Sequence, residues 1–183
     1  MIKAIITDFD GTLVDTYKAN FQAYQKAFQS VNLQLSEEEY KKCFGLRFDG
    51  FMNAMNVVDP QIMQEIKNRK KTYYPSFFSE LTLNKSLLEL LATYKSQGCK
   101  IAIASTAQKE NLLKILHHFN LQDFFDLVIA GNDVKYGKPN PEIYEKTISS
   151  LNVSPSETLI FEDSAVGIQA AKQSGAYYIK ISL

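Results

Sequence analysis

The chain has 183 residues, 45% of them hydrophobic, which suits one domain or one domain with a modest insertion and excludes a disordered chain. Lys plus Arg equals Asp plus Glu at 20 each, so net charge supplies no reason to expect nucleic acid or an anionic membrane as the main partner. Cys43 and Cys99 lie far apart without metal-type spacing, and read as small core or surface residues.

In chain order, an apolar run, Ile2 to Ile6, comes first, with a strand candidate at Ala4–Thr7, and does not read as a signal peptide. It leads into Asp8-Phe9-Asp10-Gly11-Thr12-Leu13-Val14-Asp15. On a strand, Asp8 and Asp10 would point to one side. Such a pair can hold a metal, attack a substrate, or divide acid and base work. The bland alternative is an Asp-Gly turn closing a hairpin.

From Thr16 to about Leu81 the pattern is helical, with no convincing strand. Phe21, Tyr24, Phe28 and Val31 recur at helical spacing. Ser36 followed by three glutamates reads as a helix N-cap. Another helix is expected from Pro60 to about Tyr73, and its basic run Lys67, Arg69, Lys70, Lys71 reads first as a solvated face, with a face that attracts anionic substrates as the alternative. Beyond it, strand candidates at Lys100–Ala104, Leu127–Ala130, Thr158–Phe161 and Tyr177–Ile181 alternate with helical patterns near Lys85–Gln97, Lys109–Phe119, Pro141–Leu151 and Ala165–Ser174. Several of the strands are apolar on both faces, as in a covered parallel sheet. This alternation implies βαβ units. The expected fold is α/β, a Rossmann-like three-layer sandwich on a parallel five-stranded sheet, with an inserted all-helical domain. The core would take residues 1–15 and 82–183, and the insertion residues 16–81, with hinges near Asp15–Tyr17 and Phe77–Lys85. No run reaches the roughly 18 apolar residues of a membrane span, so a soluble, cytoplasmic protein is expected.

The strand ends carry polar residues that can converge where open α/β sheets bind ligands. They are Asp8 and Asp10, then Ser105-Thr106, then Glu162-Asp163-Ser164, with Lys138 in Gly137-Lys138-Pro139-Asn140-Pro141. Phosphoryl transfer through a carboxylate with Mg²⁺ requires this set of acids, hydroxyl and lysine. Singly, each has an ordinary reading: a surface lysine, an N-cap serine, or acids at a helix N-terminus. The stretch Gly131–Lys138 is no P-loop, since five residues separate its glycines and Pro139 follows the lysine. His117 and His118 lack a partner motif and read as packing or surface residues.

Taken together, the four segments resemble the four motifs of the haloacid dehalogenase (HAD) superfamily, in order and across almost the whole chain. The insertion resembles the helical cap of the group that contains phosphoglycolate phosphatase and β-phosphoglucomutase. The resemblance implies a nucleophile at Asp8 and a general acid/base at Asp10, whose main-chain carbonyl would also bind the metal. It implies phosphate binding by Ser105, the backbone around Thr106, and Lys138. It implies a Mg²⁺ site completed by Asp163, with Glu162 either a second ligand or an orienter. Dehalogenase members usually lack an aspartate at the place of Asp10, so its presence argues for phosphoryl chemistry.

In the cap, Phe44-Gly45-Leu46-Arg47 is the candidate substrate loop. Arg47 is placed to grip a phosphate or carboxylate, or else to form a surface ion pair. Asn20 and Tyr24 share one helix face. Many sugar-phosphate mutases of the group have His near the place of Asn20 and Lys just before the loop glycine. Here Asn20 and Phe44 stand there, which favours a hydrolase. The expected activity is a Mg²⁺-dependent phosphatase acting on a small phosphorylated metabolite. The rivals are a sugar-phosphate mutase and a non-catalytic binding domain. Neither nucleic acid nor membrane is an expected partner, and a chain ending just after its fifth strand would leave a sheet edge open to association.

Overall fold

The computed structural model describes residues 1–181 and 183. The chain divides into two compact units, one of residues 1–15 and 83–183, the other of residues 16–82.

The first unit opens with β1 (Ala4–Thr7), wholly buried, followed by the two-residue strand β2 (Val14–Asp15). The second unit holds α1 (Tyr17–Gln29), α2 (Glu37–Cys43), α3 (Phe48–Ala54), α4 (Pro60–Tyr73) and a 3₁₀ segment, Tyr74–Glu80. A second two-residue strand, β3 (Thr82–Leu83), marks the return. The first unit then continues through α5 (Lys85–Ser96), β4 (Lys100–Ala104), α6 (Lys109–His118), β5 (Leu127–Ile129), α7 (Glu142–Ser150), β6 (Thr158–Glu162), α8 (Ala165–Gln173) and β7 (Tyr177–Lys180).

The main sheet has the order β5-β4-β1-β6-β7 with every pairing parallel. The expected five-stranded parallel sheet is therefore present. β1 lies at its centre, with Ile5 opposite Ile101 on one side and Leu159 on the other. Successive strands go first to one side of β1 and then to the other, so the order reverses beside it. That reversal opens a crevice at the carboxyl ends of the strands. Because β1 pairs in parallel on both sides, the Asp10-Gly11 turn closes no hairpin with it. One face of the sheet packs on α7 and α8 through Ile6, Ala102, Ala104, Ile129, Ile143, Tyr144 and Ile160. Gly98 and Gly175 follow α5 and α8 at φ +87° and +77°, the left-handed conformation that ends a helix without a Cβ penalty.

β7 is exposed, as expected at the fifth strand: all four of its residues face solvent, Tyr177 at 59% and Ile179 at 45%. It is the sheet's edge, with β6 as its neighbour. Its sequence is as apolar as an inner strand's, so composition does not distinguish the two. One expectation needs correction: the basic run on α4 is not uniformly solvated. Lys70 is buried, its Nζ 3.6 Å from the Tyr74 ring centroid and 5.2 Å from that of Tyr24. The two rings supply cation–π attraction in place of water.

The second unit has its own core, with Phe28, Tyr40, Phe51, Met52 and Ile66 buried together. Tyr40 and Phe51 meet edge to face at 5.7 Å, a preferred aromatic geometry. Ser36 caps α2 as its sequence predicts: Glu39 N–H donates to Ser36 Oγ, and Ser36 N–H donates back to Glu39. Asp59 caps α4, with Pro60 at the first helical position, where the absent N–H costs nothing.

Candidate active site

The site is built on the end of β1. Asp8 continues the sheet ladder, its N–H donating to Phe161 O at 2.9 Å. The chain then curls back. Leu13 and Val14 N–H both donate to Phe9 O, and Gly11 turns at φ +84°. A Cβ on Gly11 would fall 2.5 Å from Asp163 Oδ2, so the glycine serves the close approach as well as the turn. Thr12, wholly buried, donates through Oγ1 to Asp163 Oδ1 at 2.8 Å. Thus the turn after β1 holds the acid after β6.

Lys138 reaches into this cluster from the loop before α7. Its side chain is only 5% exposed, and its Nζ donates to Asp8 Oδ1 at 2.5 Å and to Glu162 Oε2 at 2.6 Å. Asp8, Glu162 and Asp163 each offer one carboxylate oxygen, all within 4.8 Å of one another. Three carboxyl groups thus face one ammonium in a mostly buried place.

Burial pushes the Asp8 carboxyl well above its usual range, Lys138 opposes this, and Glu162 adds to it. Burial likewise raises Asp163, against the hydrogen bond from Thr12. Burial alone would lower Lys138, but Asp8, Tyr144 and Glu162 outweigh it and hold the ammonium charged. Glu162 ends below the usual carboxylate range: burial opposes this, but Lys138 and the surrounding donors prevail. A buried cluster in which two acids resist ionisation while a third stays charged is suited to receive a cation. All three offer hard oxygen ligands, as a Mg²⁺ site requires.

Glu162 is wholly buried and fully engaged. Oε1 accepts from Asp163 N, Ser164 N and Ser164 Oγ, and Oε2 from Lys138 Nζ and Tyr144 Oη. A carboxylate has about four lone-pair positions. Five donors thus converge on this one carboxylate. Gly167 makes room for it, because a Cβ there would collide with the Glu162 carboxyl group.

On the other side, Ser105 is buried at the end of β4. Its Oγ donates to Asp10 Oδ2 at 3.4 Å and accepts from Ala107 N at 3.1 Å. The Asp10 carboxylate is not among the cluster's acids. Gly131 N–H donates to Ala107 O, and a Cβ at Gly131 would strike the Thr106 carbonyl. Asn132 Oδ1 accepts from Lys109 N, and Asp133 Oδ2 accepts from Lys109 Nζ, both at 2.9 Å. The segment after β5 therefore holds the loop after β4.

The structure brings together Asp8, Lys138, Glu162 and Asp163, and joins Asp10 to Ser105. Asn20 and Arg47 belong to the second unit. Asn20 is half-buried on α1, and Arg47 is exposed at the N-cap of α3. Tyr24, on the face shared with Asn20, packs edge to face on Phe51 at 4.9 Å and so contributes to that unit's core. Sequence reasoning assigned no contact to Thr12, Tyr144 or Ser164, and missed the glycine contacts. Thr12 and Ser164 adjoin the motifs and were open to notice. Tyr144 has no such signal, since a tyrosine in an apolar helix face looks like packing.

A model of the haloacid dehalogenase-like hydrolase family matches residues 5–181. The chain belongs to that family. It is 34% identical over 179 residues to a phosphorylated carbohydrates phosphatase of Thermotoga maritima, covering 95% of this chain and 82% of that one. It is 27% identical over 190 residues to the β-phosphoglucomutase of Bacillus subtilis, covering 98% and 83%. The crystal structure of CbbY from Rhodobacter sphaeroides in complex with phosphate superposes with a TM-score of 0.90 at 26% identity, covering 100% and 87%.

Proposed function

We propose that the protein is a Mg²⁺-dependent phosphatase of a small phosphorylated metabolite, working through an aspartyl-phosphate on Asp8. The observation that carries this reading is the Lys138 ammonium, 2.5 Å from Asp8 Oδ1 inside a cluster of three carboxylates at the end of the central strand. The phosphatase relative at 34% identity supports it.

Asp8, Asp163 and the Asp10 carbonyl would hold the ion. Bound Mg²⁺ would neutralise charge so that a phosphate dianion can approach Asp8. Asp8 attacks phosphorus, forming the Oδ–P bond as the ester O–P bond breaks. Asp10 gives its proton to the leaving oxygen. Lys138 faces the charge that gathers between Asp8 and the phosphoryl group, and the Ser105 hydroxyl with the backbone near Thr106 donates to phosphoryl oxygens. Asp10, now a carboxylate, takes a proton from water as the water attacks phosphorus, releasing phosphate and restoring Asp8.

Replacing Asp8 by Asn is expected to lower Mg²⁺-dependent turnover of p-nitrophenyl phosphate by at least about 10³-fold. Persistence of turnover would overturn the covalent mechanism. The relative at 27% identity keeps a mutase reading in view, but Asn20 and Phe44 argue against it. Phosphate release measured beside sugar-phosphate isomerisation separates the two. A screen of phosphorylated metabolites would then identify the substrate.

A further inference from the structure

Tyr144 has no part in the scheme above, yet it touches the centre of the site. It lies in the first turn of α7, wholly buried among Ile129, Ile143 and Ile148. A phenylalanine would fill that volume without burying a hydroxyl, and a buried hydroxyl is costly unless bonded. This one donates to Glu162 Oε2 at 2.5 Å. The same oxygen accepts from Lys138 Nζ, which also stands 4.9 Å from the centre of the tyrosine ring. Ser164 and the Asp163 N–H hold Oε1. Glu162 is therefore fixed at both oxygens, one of them by Tyr144.

We propose that Tyr144 is a positioning residue: its hydroxyl locks Glu162 in the rotamer that presents the Lys138 ammonium to Asp8. This rests on the phosphatase reading for its kinetic consequence, but not for its geometry. Without the hydroxyl, Oε2 keeps only the lysine, and Glu162 and Lys138 shift together. A displacement of about 1 Å near the reacting atoms costs up to about 10²-fold in rate. The loss is expected mainly in kcat, because Lys138 serves chiefly the charge that gathers in the transition state, while Ser105 and the backbone near Thr106 still hold the phosphate.

Two measurements on Y144F test this. In steady-state hydrolysis of p-nitrophenyl phosphate with Mg²⁺, kcat is expected to fall about tenfold with KM within about twofold. Separately, without metal, mass spectrometry of protein treated with acetic anhydride is expected to show Lys138 modified several-fold faster than in wild type. Lys100, whose Nζ donates to Leu151 O, is expected to react at an unchanged rate and serves as reference. E162Q leaves the packing of Tyr144 intact and is expected to reproduce both effects, and adding Y144F to it is expected to lower kcat less than twofold further. Unchanged kcat and unchanged Lys138 labelling in Y144F would overturn the proposal, as would independent, multiplying losses in the double variant. If wild type turns over no phosphoester, the phosphatase reading fails instead, and unchanged labelling in Y144F and E162Q would still refute the positioning role.

Discussion

Lys138 shows how far a side chain's meaning depends on its neighbours. In the chain it is one of 18 lysines, and in the fold its ammonium serves two buried carboxylates 130 and 24 positions away. Replacing it by Met leaves Asp8 and Glu162 facing each other without compensation. Removing one partner of a buried pair costs about 3–5 kcal/mol, so K138M is expected to lose about that much in urea unfolding of the metal-free protein, along with turnover. Glu157 is a contrasting case at the surface. Lys3 and the Ser154 cap lower its carboxyl to about 2. A lowered native value means that the unfolded chain binds the proton more readily. The stabilisation is therefore fully present above about pH 4.3, the ordinary glutamate value. It is lost as pH falls toward 2. In E157Q the thermal midpoint is expected to lie below wild type at neutral pH, with the gap closing over that window.

The strands and helices of the first unit were largely legible because burial leaves a direct trace in the letters. β1, β4 and β6 are apolar on both faces since each is flanked by neighbours and covered by helices. Their observed limits lie within one residue of the expected ones. The two-residue strands and the seven-residue α3 left no comparable trace, being too short for a period to show. Glycine contacts were also hidden, because a glycine's neighbour across a loop has no sequence signature. Gly131 sets the approach of one loop to another. G131A is expected to push the Thr106 carbonyl aside, raising KM for p-nitrophenyl phosphate and lowering kcat/KM by about tenfold or more. The midpoint of thermal unfolding reports whether the strain also costs stability, for which about 1–3 kcal/mol is typical of overpacking.

The division into two units follows from where the hydrophobic residues go: each unit closes its own core, and the chain crosses between them twice, after Asp15 and after Thr82. Among the described residues no helix is long and apolar enough to cross a membrane. Charge balance over the entire chain conceals a strong local imbalance, since three carboxylates face one ammonium at the site. A cation that binds this folded cluster and not the unfolded chain must stabilise the fold. At about 100 times its dissociation constant the gain is about 2.7 kcal/mol. Mg²⁺ added to EDTA-treated protein is thus expected to raise the thermal midpoint, with D163N abolishing the rise. The same rise in D163N would remove Asp163 from the site.

Alternation of strand and helix, the helical insertion, and the identity of the acids, serine and lysine were all present in the letters, because periodicity and residue type are local properties. Those letters also carried the resemblance through which each motif acquired a proposed role. Strand order was not local. It placed β1 at the centre and brought Asp163 to Asp8 across 155 positions. Nor could the letters show what surrounds Glu162, where five donors converge on one carboxylate, one of them from a tyrosine that reads as packing. A hydrogen-bond partner is set by where the backbone carries each group in space, and only the folded chain supplies that.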